Sequence, residues 1–158
     1  MSQQLFLTLE SNRHGTIEGS VTQSGFENLI SVFSTTHVVT SATPVTGRRA
    51  RGKNQHGPLI ITKAIDKASV LIYDCWNTND RFKRVKIESY ATGEDGSVSL
   101  FYSIELENAR ISAIRQQLAN PTLTELTQLE EVAFEYQTIT WRFAEGNLEA
   151  RSDLIGAV

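Results

Sequence analysis

The sequence predicts a mainly β fold, a small β-barrel or two-sheet sandwich with one α-helix packed on the outside. Several segments alternate apolar and polar residues, one segment has helical periodicity, and a turn rich in glycine and aspartate separates two long strands. The chain has 158 residues, of which 40% are hydrophobic. We therefore expect residues 1–158 to form a single domain that buries its own core.

The predicted strands follow from their alternation. Leu5, Leu7 and Leu9 share one face near the N-terminus. Residues 82–91 and 97–108 flank the turn T-G-E-D-G at 92–96, so they should form a hairpin. In the second of these strands one apolar face is predicted, made of Val98, Leu100, Tyr102, Ile104 and Leu106.

The last predicted strand, residues 130–141, changes parity along its length. Val132 and Phe134 share one face, whereas Ile139 and Trp141 share the other. A β-bulge near residues 137–138 explains this change, since one extra residue reverses the face. The alternative is that the core covers one face and a neighbouring subunit covers the other. Beyond this strand a solvated C-terminal segment is expected, with Arg142, Glu145, Glu149 and Arg151.

A strand followed directly by the helix is predicted between residues 59 and 77. The strand alternates to residue 65, and an apolar stripe at i, i+3, i+4, i+7 and i+8 follows. The predicted helix core comprises Ala68, Leu71, Ile72, Cys75 and Trp76. Asp66 is placed to cap the first turn. As the only cysteine on an apolar stripe, Cys75 is interpreted as a buried structural residue.

A long loop is predicted at residues 40–57. It contains Pro44 and concentrates four basic residues in six positions: Arg48, Arg49, Arg51 and Lys53. No aromatic residue interleaves these cations to stack on bases, and the chain has a net charge of −3. Nucleic acid is therefore not expected as a partner. A loop of this length in a compact domain is typically functional or disordered.

The sequence shows no catalytic, cofactor-binding or metal-binding motif. His14, His37 and His56 are far apart, without the spacing of metal ligands. Thr40 and Ser41 near His37 lack the glycines of a nucleophile elbow. Glu130 and Glu131 are adjacent and so point to opposite faces of a strand. We expect no enzymatic activity, no cofactor and no insertion into membranes, and the N-terminus has no pattern of a cleaved signal peptide.

The segment G-P-L-I-I-T-K-A-I-D-K-A-S at residues 57–69 resembles the strand–helix signature of the haemolysin-coregulated proteins (Hcp), which form the inner tube of type VI secretion systems. Four further segments, in matching order, are similar to parts of that family. The N-terminal Q-L-F-L-T-L-E and residues 17–26 resemble its opening strand and loop. Three segments resemble later strands: I-S-V-F-S-T-T-H at 30–37, F-Y-S-I-E-L-E-N-A-R-I at 101–111, and E-E-V-A-F-E-Y-Q-T-I-T-W at 130–141. Val70 stands where the family usually has proline, and valine costs little helix propensity there.

This resemblance implies a structural subunit that forms a closed homohexameric ring. Stacked rings would build a tube inside a sheath, beneath a tip protein, with effector proteins carried in the lumen. The loop cations would contact acidic groups on the next ring. Residues with small hydroxyl side chains suit a hydrated lumen: Ser31, Thr35, Ser97, Ser99 and Ser103. The resemblance implies a cytoplasmic protein before firing, secreted afterwards without a cleaved signal peptide. The alternative is a monomeric β-barrel module that binds a ligand or peptide.

Overall fold

A computed structural model describes residues 3–41, 54–124 and 128–154 of the chain. Antiparallel strands dominate, and one α-helix, α1, spans Ala68–Asn77. The strands are β1 (Gln3–Ser11), β2 (Gly15–Ile17), β3 (Ile30–Val32), β4 (Ser34–Thr36), β5 (Val39–Ser41), β6 (Asn54–His56), β7 (Leu59–Ala64), β8 (Phe82–Thr92), β9 (Val98–Gln117), β10 (Leu129–Glu135), β11 (Thr138–Phe143) and β12 (Leu148–Asp153). One turn of 3₁₀ helix, Glu145–Asn147, separates β11 from β12.

The main sheet is organised around β9, its longest strand. The strands run in the order β2-β1-β8-β9-β10-β7-β4, with β3 added to β1 and the pair β11–β12 added to β9. The first half of β9 pairs with β8 and β11, and its second half pairs with β10. Because β9 is shared in this way, it connects the two layers of the fold.

The hydrophobic core lies between these two layers. Leu7 and Val85 from the layer of β1 and β8 join Leu59 and Phe134 from the layer of β7 and β10 in one buried cluster. Phe82 and Phe134 meet edge to face, with ring centroids 5.7 Å apart. The predicted mainly β, sandwich-like fold with one helix is confirmed. Among the described strands the sheet stays open, so the fold is sandwich-like and not a closed barrel.

The segment expected as one strand at residues 30–37 is two short strands in different layers. β3 pairs with β1, whereas β4 pairs with β7. The change occurs at Phe33, whose amide donates to the carbonyl of Thr62 at 2.8 Å. This corner carries the chain from one layer to the other and leaves the Phe33 side chain 58% exposed.

The predicted hairpin of β8 and β9 is present. Its turn is closed by the Gly93 amide, which donates to the Ser97 carbonyl at 2.8 Å. The Asp95 carboxylate accepts from the Ser97 amide and hydroxyl, and these bonds lower the pKa of Asp95. Gly96 has φ of +82°, a conformation that glycine adopts without strain.

The single apolar face predicted for β9 is wrong, because β9 contains a bulge. Ser89 lies opposite Tyr102 and Tyr90 lies opposite Leu100, so Phe101 is an extra residue. One extra residue reverses the alternation of side chains. Leu100 is consequently exposed while Leu106 is fully buried, although the two share a parity.

Helix α1 packs on the sandwich largely through the predicted stripe, but the prediction that Trp76 belongs to the helix core is wrong. Ala68, Ile72 and Cys75 are buried, and Leu71 is partly buried against them. The side chain of Trp76 is 51% exposed. It lies about 80° around the helix from Ala68, at the edge of the stripe and in the last turn. The Asp66 carboxylate accepts from the Ala68 amide at 3.0 Å, which satisfies one free donor of the first turn.

The final predicted strand is two strands with a break between them. β10 ends at Glu135 and β11 begins at Thr138, and the two pair with different halves of β9. The register with β9 is the same on both sides of this break, so no bulge lies at 137–138. Residues of both parities are buried at the start of β11, where Thr138, Ile139 and Thr140 are all buried. The bulge in the pairing of β10 with β9 lies instead between Ala133 and Phe134.

Two segments expected to lack regular structure contain strands. The C-terminal segment forms β12, an exposed strand that pairs with β11. Both ends of the predicted loop at 40–57 also pair, because β5 and β6 form a two-stranded sheet. These strands were missed because neither has a buried face that produces alternation.

Candidate assembly surfaces and polar clusters

A fully buried ion pair lies between β7 and β10. Lys63 and Glu130 are directly opposite each other in the two strands, and both side chains are excluded from solvent. The Lys63 ammonium contacts Oε1 of Glu130 and donates to Oδ1 of Asp66 at 2.8 Å and to the Ala64 carbonyl at 2.9 Å. The three donors of the ammonium are therefore satisfied, as a buried charge requires.

The network extends from this pair to the helix and to β9. The Ser69 hydroxyl donates to Oε1 of Glu130 at 2.7 Å and accepts from the Asp66 amide at 3.0 Å. The amide of Gln116 donates to Oε2 of Glu130 at 3.1 Å. One carboxylate thus ties together β7, β9, β10 and the start of α1.

This network explains the spacing K-x-x-D-x-x-S within the sequence signature at residues 57–69. Each of Lys63, Asp66 and Ser69 is a member, so the signature encodes the junction of strand and helix. Sequence reasoning missed Glu130, because that residue was considered only as a partner for Glu131. One available signal was that Lys63 shares the parity of the buried residues Leu59 and Ile61.

A second polar cluster forms where β5 and β6 leave the body of the protein. Nε2 of His37 and Nδ1 of His56 lie 2.7 Å and 2.8 Å from the Tyr136 hydroxyl. Nε2 of His56 lies 3.1 Å from the Ser152 hydroxyl. Burial raises the pKa of Tyr136 to about 12. Burial, followed by the nearby His56, lowers the pKa of His37.

The structure therefore brings together two histidines that the sequence separates by 19 positions. The sequence indicates two isolated residues at loop edges, but in the structure both histidines contact Tyr136. His14 lies elsewhere and contacts the Asp74 carboxylate at 2.7 Å. Thr40 and Ser41 face Gln55 and Asn54 across the hairpin, at the outer limit of hydrogen-bonding distance. No signal in the sequence connects His37 to Tyr136.

The hydroxyl residues proposed from the sequence for a lumen differ in their exposure. Ser31, Ser97 and Ser99 are exposed, and Thr35 is partly buried. The side chain of Ser103 is only 3% exposed, so its prediction as a lumen residue is wrong. The bulge at Phe101 places Ser103 on the opposite face from Ser99.

Exposed apolar side chains cluster near the corner between the layers. Phe33, Val38 and Val39 are all at least half exposed. A nearby hollow of about 290 Å³ is lined by Leu5, Ile87, Phe101, Tyr102 and Ile104, with Thr35 and His37 at its edge. A cluster of exposed apolar side chains with such a hollow is typical of a surface that contacts another molecule.

The strands β9, β11 and β12 carry a ladder of exposed ion pairs instead. Arg142 contacts Glu149 at 3.2 Å and Glu105 at 3.4 Å, and Arg151 contacts Glu107 at 3.6 Å. Exposed pairs of this kind contribute little to stability individually. They keep this surface polar, in contrast to the apolar corner.

The basic residues of the predicted loop, Arg48, Arg49, Arg51 and Lys53, lie outside the described residues. Within residues 3–41, 54–124 and 128–154, no group of three potential ligands is arranged to hold a metal ion. Burial raises the pKa of Cys75 to about 11, which suppresses its reactivity. Across the same ranges, no helix has the length and apolarity to span a bilayer.

Comparison with known proteins relates most of the chain to one family. The family profile described as "Type VI secretion system effector, Hcp" matches residues 6–143. The "Major exported protein" of Pseudomonas aeruginosa is 34% identical over 127 residues, which cover 78% of this chain and 73% of that protein.

Solved structures have the same fold. The secreted protein Hcp3 of Pseudomonas aeruginosa is 25% identical, with a TM-score of 0.77 over 96% of this chain and 98% of its own. A crystal structure of an Hcp protein has a TM-score of 0.86 at 22% identity and covers 97% of this chain and 98% of its own. Hcp1 of Escherichia coli has a TM-score of 0.85 at 24% identity, with coverage of 96% and 98%.

Proposed function

Because the chain belongs to the Hcp family of type VI secretion tube proteins, we propose that it assembles into closed homohexameric rings that stack into a tube and carry effector proteins. Family membership is the observation that carries this proposal. The whole chain would act as one tube domain without catalytic chemistry. It would be cytoplasmic before firing and would leave the cell without a cleaved signal peptide, through contacts with sheath and tip proteins.

Two features of the structure support ring formation. β4 and β12 each pair on one side only among the described strands, so their outer edges are open. An open edge favours pairing with another chain unless it is protected. The exposed residues Phe33, Val38 and Val39 follow or adjoin the edge strand β4. A neighbouring subunit that pairs with this edge would also cover these apolar side chains, and ring closure would leave none of these edges free.

Sedimentation of the purified protein tests ring formation. We expect a species of six times the 17.6 kDa monomer mass at micromolar concentration. Phe33→Ser should weaken each subunit contact by about 1–2 kcal/mol, since more than half of this side chain remains to be buried. Trp76→Ser is the matched control, because it removes a similarly exposed aromatic residue on helix α1. A monomeric parent protein, or equal loss in both variants, would contradict the proposed ring interface.

Between rings, we propose that the cations of residues 40–57 contact acidic groups on the next ring. Individual exposed ion pairs contribute about 0.2–1 kcal/mol, but six copies act together. Arg48→Glu with Arg49→Glu should leave hexamers intact and abolish tubes and secretion. Arg81→Glu with Lys83→Glu changes the net charge equally at exposed positions elsewhere and is the control. Normal tubes of the Arg48 and Arg49 variant in electron microscopy would refute the role of these cations.

In the ring, Ser31, Ser97 and Ser99 remain proposed lumen residues, because their exposed small hydroxyl side chains would keep a channel hydrated without binding cargo. The Thr35 hydroxyl is buried in the single chain, so Thr35 is withdrawn as a lumen residue. Cysteine placed singly at each position, and modified with a bulky reagent inside assembled tubes, tests this placement. A lumen residue should react only with reagents small enough to enter the channel. Equal reaction with a large protein-linked reagent would assign the residue to the outer surface.

One observation favours a second candidate, a monomeric module that binds a small ligand or peptide. Within the described residues, the hollow beside Leu5 and Phe101 has a largely apolar lining, and the Thr35 hydroxyl at its edge is buried without a hydrogen-bond partner. A ligand with a polar group could satisfy that hydroxyl. The same sedimentation experiment separates the candidates, since a binding module would remain at 17.6 kDa.

A further inference from the structure

The hairpin of β5 and β6 is a separate two-stranded sheet. Its own backbone bonds close it, including the Gly57 amide that donates to the Val38 carbonyl at 2.9 Å. In the described part of the chain, no ladder of backbone hydrogen bonds joins this hairpin to the ten-stranded sheet. Its hydrogen bonds to the body are side-chain bonds at its root, from His56 to Tyr136 and Ser152, with His37 beside them.

We propose that His37, Tyr136 and His56 form an acid-sensitive latch, which holds the root of this hairpin on the body at neutral pH and releases it when the two imidazoles are protonated. Tyr136 lies between β10 and β11, His37 lies between β4 and β5, and His56 ends β6. The latch therefore joins the entry and the exit of residues 40–57 to one fixed point of the sandwich.

The hydrogen-bonding capacities of the three groups explain why protonation opens the latch. A tyrosine hydroxyl has one hydrogen to donate and can accept others, whereas a neutral imidazole has one donor and one acceptor. In the neutral state, Nε2 of His37 can donate to the Tyr136 oxygen, which donates to Nδ1 of His56, and Nε2 of His56 then donates to Ser152. The Tyr136 hydroxyl and both ring nitrogens of His56 then have partners. When both imidazoles are protonated, all four ring nitrogens are donors, and the Tyr136 hydrogen loses its acceptor.

Two imidazolium ions in the latch would be close to each other. The two imidazole rings are 6.5 Å apart, so their charges would repel each other. Around His56, Glu135 and Arg151 line the adjoining hollows, and Asp153 follows Ser152 in β12. Glu135 is already paired with Arg110 at 2.6 Å, and Arg151 with Glu107 at 3.6 Å.

The surroundings of His37 are apolar. Beside it lie Trp141, with ring centroids 6.2 Å apart, and the hollow that Tyr102 and Phe101 line. The hydrogen-bond partners found for the two latch imidazoles are the Tyr136 and Ser152 hydroxyls. Burial therefore lowers the pKa of His37 below the usual value for histidine.

The direction of the pH effect follows from this lowered pKa. The closed hairpin favours neutral His37, whereas the released hairpin exposes it to water with a pKa near about 6.5. The closed state is fully stabilised above that value and loses stability as the pH falls from it toward the pKa in the closed state. Opening should increase by at most about tenfold for each unit by which the closed state lowers the pKa, and the full factor is reached only below both pKa values.

This inference deepens the proposed function and rests on it in one respect only. If residues 40–57 contact the next ring, release of their root would remove the fixed geometry on which stacking depends. Tubes would then separate into rings in acid while the rings remain closed. The latch itself does not require stacking, so its opening can be measured on dispersed protein.

Amide hydrogen exchange in Val39–Ser41 and Asn54–His56 tests the latch directly, compared at pH about 7.5 and about 5 after correction for intrinsic rates. In the parent protein we expect faster corrected exchange of the hairpin in acid, with no change in β8 and β9. The variant His37→Gln with His56→Gln should lose this difference. His14→Gln, which removes the histidine beside Asp74, should retain it.

Tyr136→Phe provides a second, independent variant. It removes the shared hydroxyl, so corrected hairpin exchange should be fast at both pH values while β8 and β9 stay protected. Equal exchange of the parent hairpin at the two pH values would overturn the latch, as would acid opening that persists in the variant without His37 and His56. If the hairpin opens in acid but tubes persist, the latch stands and the role of the loop in stacking is wrong.

Discussion

Removal of either member of the buried pair Lys63–Glu130 should destabilise the protein strongly, and by unequal amounts. A buried charge left without its partner costs about 3–5 kcal/mol. In Glu130→Leu the ammonium keeps Asp66 at 2.8 Å as a counterion, so we expect a loss of about 3 kcal/mol. In Lys63→Met two carboxylates lose their common cation, which places the expected loss near about 5 kcal/mol.

The double variant distinguishes an ion pair from simple loss of packing. Lys63→Met with Glu130→Leu replaces both charges with apolar groups of similar volume, and such replacements are often close to neutral. Ser69 and Gln116 would lose the carboxylate that accepts from them, so a residual cost of about 1–3 kcal/mol is expected. The double variant should therefore be more stable than Lys63→Met alone, with a coupling energy of at least about 3 kcal/mol.

Urea unfolding followed by tryptophan fluorescence measures these differences. All variants must be compared at one protein concentration, because assembly stabilises the folded state by mass action. Losses that simply add in the double variant would show that the two side chains act independently. Single-variant losses below about 1 kcal/mol would also refute the reasoning, since they would mean that water or a rearranged partner compensates the isolated charge.

Two further predictions concern helix α1. Ile72→Ala should lower the free energy of unfolding by about 2–5 kcal/mol and Leu71→Ala by about 2 kcal/mol, because only Ile72 is fully buried. Trp76→Ala should lower it by less than about 1 kcal/mol, since that side chain is half exposed. Equal melting temperatures of the three variants would contradict the observed packing. Cys75, whose pKa is raised to about 11, should resist thiol reagents at pH about 8 in the native protein and react after denaturation, and rapid native labelling would refute its burial.

The main elements of the fold could be predicted because their residues carry strong local signals. The β8–β9 hairpin has two long strands around a turn rich in glycine and aspartate, and both its existence and its turn were predictable. The helix was predictable from its stripe. Trp76 was misplaced because periodicity gives a direction around the helix, but not how far the sheet extends beneath it. Ser69 is buried near the start of α1, while Trp76 near its end is not.

The errors occur where one residue changes the geometry of a strand. The bulge at Phe101 depends on how β9 pairs with β8, and the corner at Phe33 depends on pairing with the distant strands β1 and β7; neither produces a distinct local pattern. Because the bulge at Phe101 was not predicted, Ser103 was placed on the wrong face of β9. The polar clusters were missed because their members meet only after segments distant in sequence have come together: Lys63 meets Glu130 across β7 and β10, and the two histidines meet at Tyr136.

The two polar clusters serve different physical purposes. In the Lys63–Glu130 network the central pair is fully buried, and each of the two charges has several partners. The network therefore fixes the junction of β7, α1 and β10. The cluster around Tyr136 is built from histidines, whose protonation changes within the physiological pH range. The rigid network lies within the sandwich that we propose forms the ring, and the titratable cluster lies at the root of the segment that we propose joins one ring to the next. Mild acid should therefore act on contacts between rings before it affects the ring itself.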